Sequence, residues 1–460
     1  MLKRYIGDRA FYRRALALAV PILIQNGITN FVSLLDNIMV GQVGTVPMTG
    51  VSIANQLLLI FNLCILGATA GAGIFTAQFY GKGDIENVRF SHRMKYLVCL
   101  LLAVVAILLF ALASEPLVGL YLQGEGSAED AANVLHYSKN YMGIMLWGLV
   151  PFALTGAYAG TLRETNQTVV PMVGGITAVF VNLFLNYVLI FGHFGAPQMG
   201  VEGAALATVI SRYVEMLIVV GWTHLNPKKN PFIGGIFRSL YIPKELFLSI
   251  LRKGMPLLFN EFMWAMGLAV LKWSYSSRGQ SVLAAAEIAD VIYNLTNICA
   301  VAFGTAVGII TGQMLGAGEE EEKVRDANRK LIALTVFCGF CMGILLFCFS
   351  GVFPKLYNTE ESVRHLATQF IWVISAMLPI CSFTFATYFT LRAGGKALIT
   401  FLFDSCFLWV GPVFLSVLLS QLTNLPILPL YAICHLVDII RCIAGAILLD
   451  KVKWMARLTE

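Results

Sequence analysis

Gly73-Ile-Phe-Thr-Ala-Gln-Phe-Tyr-Gly-Lys-Gly83 and Gly308-Ile-Ile-Thr-Gly-Gln-Met-Leu-Gly-Ala-Gly318 are two versions of one segment. Gly73, Ile74, Thr76, Gln78, Gly81 and Gly83 meet Gly308, Ile309, Thr311, Gln313, Gly316 and Gly318. The register holds outward from there. An offset of 235 residues, without a gap from residue 21 to residue 83, superposes Pro21 on Pro256, Ile53-Ala54 on Ile288-Ala289, Asn62 on Asn297 and Cys64 on Cys299. Further along, Thr161-Leu162-Arg163 recurs as Thr390-Leu391-Arg392. The chain reads as an internal duplication, and such a repeat governs the architecture.

What is duplicated is apolar. The 460 residues are 58% hydrophobic and 13% charged, with a mean hydropathy of +0.76. A soluble globule carries about a quarter charged residues, so the composition points to an integral membrane protein. Its apolar stretches are each near the roughly 20 residues that cross about 30 Å of hydrocarbon as a helix. Only helices and closed barrels satisfy every backbone group in lipid, and an all-α bundle follows. We place twelve transmembrane helices over residues 13–40, 47–80, 90–113, 134–160, 168–191, 202–223, 250–277, 281–314, 331–352, 366–390, 397–420 and 428–449. Arg13 and Arg14 lead into the first without a small-residue cleavage site, so it is expected to remain as a helix.

Six spans separate the two copies. An even number inserts both in the same orientation, predicting two pseudo-symmetric six-helix lobes about an axis along the membrane normal. The lobes are set at residues 1–223 and 246–460, joined by a linker over 224–245. Basic residues gather at the start (Lys3, Arg4, Arg9, Arg13, Arg14), in the second loop (Lys82, Arg89, Arg93, Lys95), in and beside the linker (Lys228, Lys229, Arg238, Lys244, Arg252, Lys253) and at the end (Lys451, Lys453, Arg457). The third loop carries Glu115, Glu125, Glu129 and Asp130 instead. Both termini are therefore expected in the cytoplasm, by the excess of positive loops on that side.

Other functions lose support. The net charge of +6 is topological and predicts no nucleic-acid partner. The ten cysteines lie almost wholly in apolar spans, and Cys338 with Cys341 has no second pair to make a metal site. Gly394-Gly395-Lys396 is followed by Ala397, so no phosphate-binding loop couples the chain to ATP. No His/Asp/Cys constellation nominates a membrane-embedded transferase, and a two-lobe duplication in one chain opposes an ion channel. Duplicated bundles recur in secondary transporters, which rock around a midplane site to give alternating access.

Several motifs carry a resemblance. Phe31-Val-Ser-Leu-Leu-Asp-Asn-Ile-Met-Val-Gly41, Gly81-Lys-Gly-Asp84, Leu162-Arg163, the run from Asn182 to Gly192 and the run from Gly200 to Ser211 together resemble the multidrug and toxic compound extrusion (MATE) transporters. The likeness spans nearly the whole chain. It implies antiport, in which Na⁺ or H⁺ enters while an organic, often cationic and amphipathic, solute leaves. Such a protein needs no cofactor beyond the coupling ion, acts on small organic solutes in the bilayer, and is expected to work as a monomer in a bacterial cytoplasmic membrane. The alternative within the class is a lipid-linked oligosaccharide or polysaccharide flippase, whose cleft should be basic; the polar groups placed here are mainly acidic.

Two sets of polar residues could bind the cation. At 1.5 Å per residue, Asp36, Asn182, Asn186 and Thr208 all fall about 8 to 14 Å below the outer ends of their helices. Carboxylate, amide and hydroxyl oxygens suit a Na⁺ cage, and a lone Asp among hydrogen-bonding neighbours suits a proton carrier equally well. The two Asn also have a plainer reading as interhelical glue. In the second lobe Glu261, within Pro256-Leu-Leu-Phe-Asn-Glu-Phe, is a lone carboxylate in an apolar span, the mark of an ion or proton path. Glu287 and Asp290 share a helix face and can reach a similar depth, so Na⁺ is also conceivable at Glu261 with Asp290. The resemblance supports Glu261 but departs on the tenth helix. There the bacterial Na⁺-coupled branch has an Asp, and Pro379 to Thr390 offers only Cys, Ser, Thr and Tyr, so Glu287 and Asp290 are the expected substitutes. Asp404, Asp438 and Arg441 read as a structural ion pair or triad, Arg212 with Glu215 as a pair, and Lys272 as a residue that snorkels to the headgroups.

Overall fold

A computed structural model describes residues 5–119, 121, 128–357, 359–451 and 453–459. Lys3, Arg4 and Glu125 lie outside the described residues. Among the described residues there is no strand, and twelve helices are long and apolar enough to cross a membrane. They are α1 (Arg9–Gly41), α2 (Thr45–Lys82), α3 (Ile85–Gly119), α4 (Ala128–Glu164), α5 (Val169–Phe191), α6 (Val201–Leu225), α7 (Lys244–Ser276), α8 (Gln280–Gly316), α9 (Glu321–Phe349), α10 (Glu361–Ala393), α11 (Ala397–Leu422) and α12 (Ile427–Lys451).

Several run past the spans that hydropathy marks. α4 begins six residues before residue 134, and α9 ten before residue 331. The extra turns are polar and start on acids: Glu129 and Asp130 in α4, Glu321 and Glu322 in α9. A carboxylate at the first turn meets the positive end of the helix dipole, so these helices persist where the hydrophobic signal has stopped. Pro21 and Pro256 sit inside the continuous helices α1 and α7.

The chain folds as two compact units. The first comprises Ile24–Thr76 and Asp84–Leu251; the second comprises Arg252–Glu460 together with Met1–Leu23 and Ala77–Gly83. Small residues fill the helix contacts of each. Ala54, Ala103, Ala153, Ala157 and Ala205 are fully buried in the core of the first. Ala285, Ala289 and Ala367 are fully buried in a core of the second, with Phe370 and Ile371. With lipid as apolar as leucine, close backbone approach rather than water exclusion drives such contacts. Large apolar side chains such as Leu112 and Trp147 are correspondingly exposed.

The densest part of the repeat has a structural reason inside the second unit. The ends of α2 and α8 cross there with the two copies of the motif facing each other. A Cβ on Gly81 would stand 2.6 Å from Cα of Gln313, and one on Gly316 would stand 2.6 Å from Cα of Gln78. Only glycine allows the approach. Both glutamines are buried. Gln78 Nε2 donates to the carbonyls of Ala393 (3.0 Å) and Ala456 (3.1 Å), and its Oε1 accepts from the Leu458 N–H (2.8 Å). Gln313 Oε1 accepts from Arg14 at 2.9 Å.

α11 departs from a plain helix. It carries π-turns at Leu402–Cys406 and Trp409–Val413. In the first, the Ser405 N–H donates to Asn260 Oδ1 of α7 (3.3 Å), so a neighbouring side chain draws on a backbone donor of this turn. The second contains Pro412, which has no N–H to give. Hydropathy reads α11 as uninterrupted, because a π-turn leaves the apolar pattern intact.

Candidate cation-coupling sites

In the first unit, four predicted residues from three helices form one hydrogen-bonded chain. Asn186 Nδ2 on α5 donates to Asp36 Oδ1 on α1 and also to Asn182 Oδ1 (3.1 Å). Asn182 Nδ2 donates to Thr208 Oγ1 on α6 (3.1 Å), and Thr208 donates to its own helix at the Ala204 carbonyl (3.0 Å). The one-turn spacing of Asn182 and Asn186 puts both on the face of α5 turned to α1 and α6. Asn186 is fully buried, and its Oδ1 has no hydrogen-bond donor among the described residues. Among those residues no Lys or Arg stands within ion-pair distance of Asp36. The cluster thus joins a carboxylate to an orphaned buried acceptor, and an incoming cation would satisfy both.

The second unit divides its acids. Glu261 Oε1 on α7 accepts from the Tyr388 hydroxyl on α10 at 3.2 Å, and the charges of Arg392 and Asp404 act on it from beyond ion-pair distance. Tyr388 lies in the segment Pro379 to Thr390, so the helix without an acid reaches Glu261 through a phenol. Glu287 and Asp290 do share a face of α8, yet Lys272 of α7 holds them both, at 2.9 and 3.1 Å. Among the described residues no hydrogen bond or ion pair joins Glu261 to either. Lys272 therefore does not simply snorkel outward; two carboxylates opposite give its ammonium a closer partner than the headgroups.

Beside Glu261 lies a network that sequence reading reached only in part. Asp404 pairs with Arg441 and accepts from Asn260 Nδ2 (2.8 Å), and the Ser405 hydroxyl donates to Asn260 Oδ1 (2.8 Å). Asp438 forms no ion pair with Arg441 among the described residues: the guanidinium turns to Asp404 on α11, leaving a pair and not a triad. Asn260 was the missed member. Its only signal is a second polar residue beside Glu261 in an apolar run. Arg212 and Glu215 pair at 3.0 Å as expected, and a buried Lys95–Glu164 pair between α3 and α4 was not anticipated.

A twelve-span, all-helical chain with carboxylates held inside its helical units is a multi-pass integral membrane protein. The family model described as MatE matches it twice, over residues 21–188 and 256–417. The two matches begin at Pro21 and Pro256, reproducing the 235-residue offset of the repeat. The chain belongs to the MatE family of multidrug efflux transporters. Among curated relatives, the probable multidrug resistance protein NorM of Thermotoga maritima is 26% identical over 356 residues, 77% of this chain and 74% of that one. The probable multidrug resistance protein YoeA of Bacillus subtilis is 27% identical over 413 residues, 89% and 87% of the two chains. The fold is that of a multidrug resistance MATE transporter solved in an outward-facing conformation, with a TM-score of 0.86 at 18% identity over 97% of each chain. It is also similar in fold to a MOP superfamily transporter from Pyrococcus furiosus described by the reverse polarity of its binding pocket (TM-score 0.83, 18% identity, 98% of each chain).

Proposed function

We propose that this protein exports organic, often cationic and amphipathic, compounds in exchange for Na⁺ or H⁺ by alternating access. Asp36 is the primary coupling group. The observation that carries this reading is the Asp36 carboxylate, without an ion-pair partner among the described residues, hydrogen-bonded to an Asn186 whose buried Oδ1 has no donor among them. Na⁺ would take oxygens from both, with Asn182 and Thr208 orienting the amide of Asn186. A proton on Asp36 would donate to that same orphaned oxygen. Either event removes a buried negative charge, and the free energy so gained is what a conformational change can use.

Glu261 is the corresponding group of the second unit, with Tyr388 as its hydrogen-bonding partner. Glu287 and Asp290 belong to the coupling set through Lys272, which would exchange between them as an internal cation. Solute and coupling ion favour opposite states, and each weakens the binding of the other by the same factor. The chain acts as a monomer with both termini in the cytoplasm of a bacterium.

Dye accumulation by inverted vesicles, whose lumen corresponds to the outside of the cell, under an imposed Na⁺ or pH gradient tests the proposal. Asp36→Asn should abolish gradient-driven transport while leaving the protein folded, and Glu261→Gln should reduce it strongly. Normal export by both variants under both gradients would remove the assignment.

A further inference from the structure

The first unit holds a second polar feature away from the coupling groups. An open cavity of about 630 Å³ lies between the beginning of α3 and the segment that follows α6. Glu86, Arg89, Phe90 and Arg93 line it from α3, at spacings of three, four and seven residues that define one helix face; Arg238 and Tyr241 line it from the other side.

Its charge is not balanced. Arg93 spends its donors on main-chain carbonyls: Nε on Ile236 (2.8 Å), Nη1 on Tyr241 (3.1 Å) and Nη2 on Gly235 (3.0 Å). Arg89 Nε does the same with Phe232 (3.1 Å). Carbonyl dipoles satisfy hydrogen bonds without cancelling charge. Among the described residues, none of the three arginines has a carboxylate within ion-pair distance. Glu86 is the single acid in the lining, so the cavity keeps an excess of two positive charges. Arg238 is exposed and its guanidinium makes no hydrogen bond among the described residues, which leaves a planar fork free for a tetrahedral oxyanion.

The surroundings select the carrier of that oxyanion. Tyr241, which lines the cavity, is 65% exposed, and Phe237 and Leu240, close to it in sequence, are 56% and 55% exposed. Exposed aromatic and aliphatic side chains in the segment after α6, facing arginines from the first turns of the transmembrane helix α3, match the boundary between headgroups and acyl chains. We infer that this cavity binds the phosphate of an anionic phospholipid headgroup, with the free guanidinium of Arg238 on the phosphate, Arg89 and Arg93 adding positive charge beside it, and the exposed Tyr241 against the glycerol. An occupied site would tie the segment after α6 to α3 more firmly than the arginine–carbonyl bonds do alone.

The test is native mass spectrometry of the full-length protein titrated with phosphatidylglycerol, with diacylglycerol as the phosphate-free control. Wild type should retain phosphatidylglycerol in preference to diacylglycerol. Arg238→Glu should weaken retention about tenfold or more, since each basic residue at a membrane surface is worth roughly a fivefold effect. Lys228→Glu, which changes the same net charge outside the cavity, should leave retention unchanged. Equal retention by Arg238→Glu and wild type, or equal loss in both variants, would overturn the site. Displacement of the lipid by millimolar glycerol 1-phosphate or inorganic phosphate would overturn the lipid as its occupant and give the cavity to a soluble phosphate ester.

Discussion

Replacing Gly316 by alanine adds one methyl group, and the crossing of α2 and α8 has no room for it. Its carbon would lie 2.6 Å from Cα of Gln78, whereas carbon atoms rest about 3.5–4.0 Å apart. The carbonyl oxygen of Gln78 would be closer still, so the two helices must separate by more than about 1 Å. The obstacle is main chain, which cannot rotate away as a side chain would. Separation also stretches the bonds that Gln78 makes to Ala393, Ala456 and Leu458. Overpacking of this kind costs roughly 1–3 kcal/mol, which should lower Tm by a few degrees. Gly143→Ala is the contrasting case. Gly143 is helical with nothing within 4 Å of a new Cβ, and alanine there should stabilise by about 0.5–1 kcal/mol through helix propensity. Thermal unfolding of the solubilised protein, followed by labelling of its buried cysteines, reads both. If Gly316→Ala melts at or above wild type, the close crossing does not hold these helix ends.

Further expectations separate the polar clusters. Asn260→Ala should destabilise by about 1–3 kcal/mol, because it removes one of the two buried partners of Asp404 and the side-chain acceptor of the Ser405 N–H; restored stability in Asn260→Asp would be unexpected, since a second carboxylate would face Asp404. Arg441→Ala should cost about 3–5 kcal/mol because it strands Asp404 in a pair only 15% and 14% exposed. Lys272→Ala should also destabilise, because it takes the cation from both Glu287 and Asp290, but by less than Arg441→Ala, these groups being 41%, 54% and 32% exposed; equilibrium unfolding ranks the two. Asn186→Ala should impair coupled transport while Thr208→Ala does so less, as only Asn186 touches Asp36 directly; equal activity of Asn186→Ala and wild type in the vesicle assay would detach the amide from coupling.

Much of the fold was legible because lipid makes harsh demands on composition. Apolar runs mark the spans, and the recurrence of Gly73 to Gly83 at Gly308 to Gly318 exposes the duplication. Even the reason for the recurrence was latent in it, since glycines retained three residues beyond a glutamine suit a close helix crossing. Helix ends were less legible, because the polar turns of α4 and α9 are set by acids and the dipole and not by hydropathy. The candidate site was legible as a set of residues and illegible as a set of pairs. Asp36, Asn182, Asn186 and Thr208 came out as one chain because equal depth on packed helices nearly forces contact. Glu261, Glu287 and Asp290 had comparable depths, yet Tyr388 takes the first and Lys272 the other two. Depth fixes one coordinate; the rotation of each helix about its own axis fixes the partner, and no local pattern encodes that rotation here.

That rotation sorts the membrane carboxylates into two chemical kinds. Glu164, Glu215, Glu287, Asp290 and Asp404 each face a Lys or Arg. A cation already built into the protein holds their charge, so an external ion gains little by approaching. Among the described residues Asp36 and Glu261 form no ion pair; their hydrogen-bond donors are an amide and a phenol, and Arg392 acts on Glu261 from beyond ion-pair distance. Such donors orient a carboxylate without cancelling its charge, and in hydrocarbon an uncancelled charge costs roughly 3 kcal/mol on insertion scales. A residue kept at that cost is most useful if the cost is periodically removed, and Na⁺ or a proton can remove it where a fixed arginine could not be released. Supplying a fixed cation therefore discriminates between the two kinds: Leu→Lys at Leu257, one turn before Glu261, should lock the acid and stop transport even where folding survives. Persistent gradient-driven efflux in that variant, with the folded fraction unchanged by size-exclusion chromatography, would show that Glu261 need not exchange its counterion.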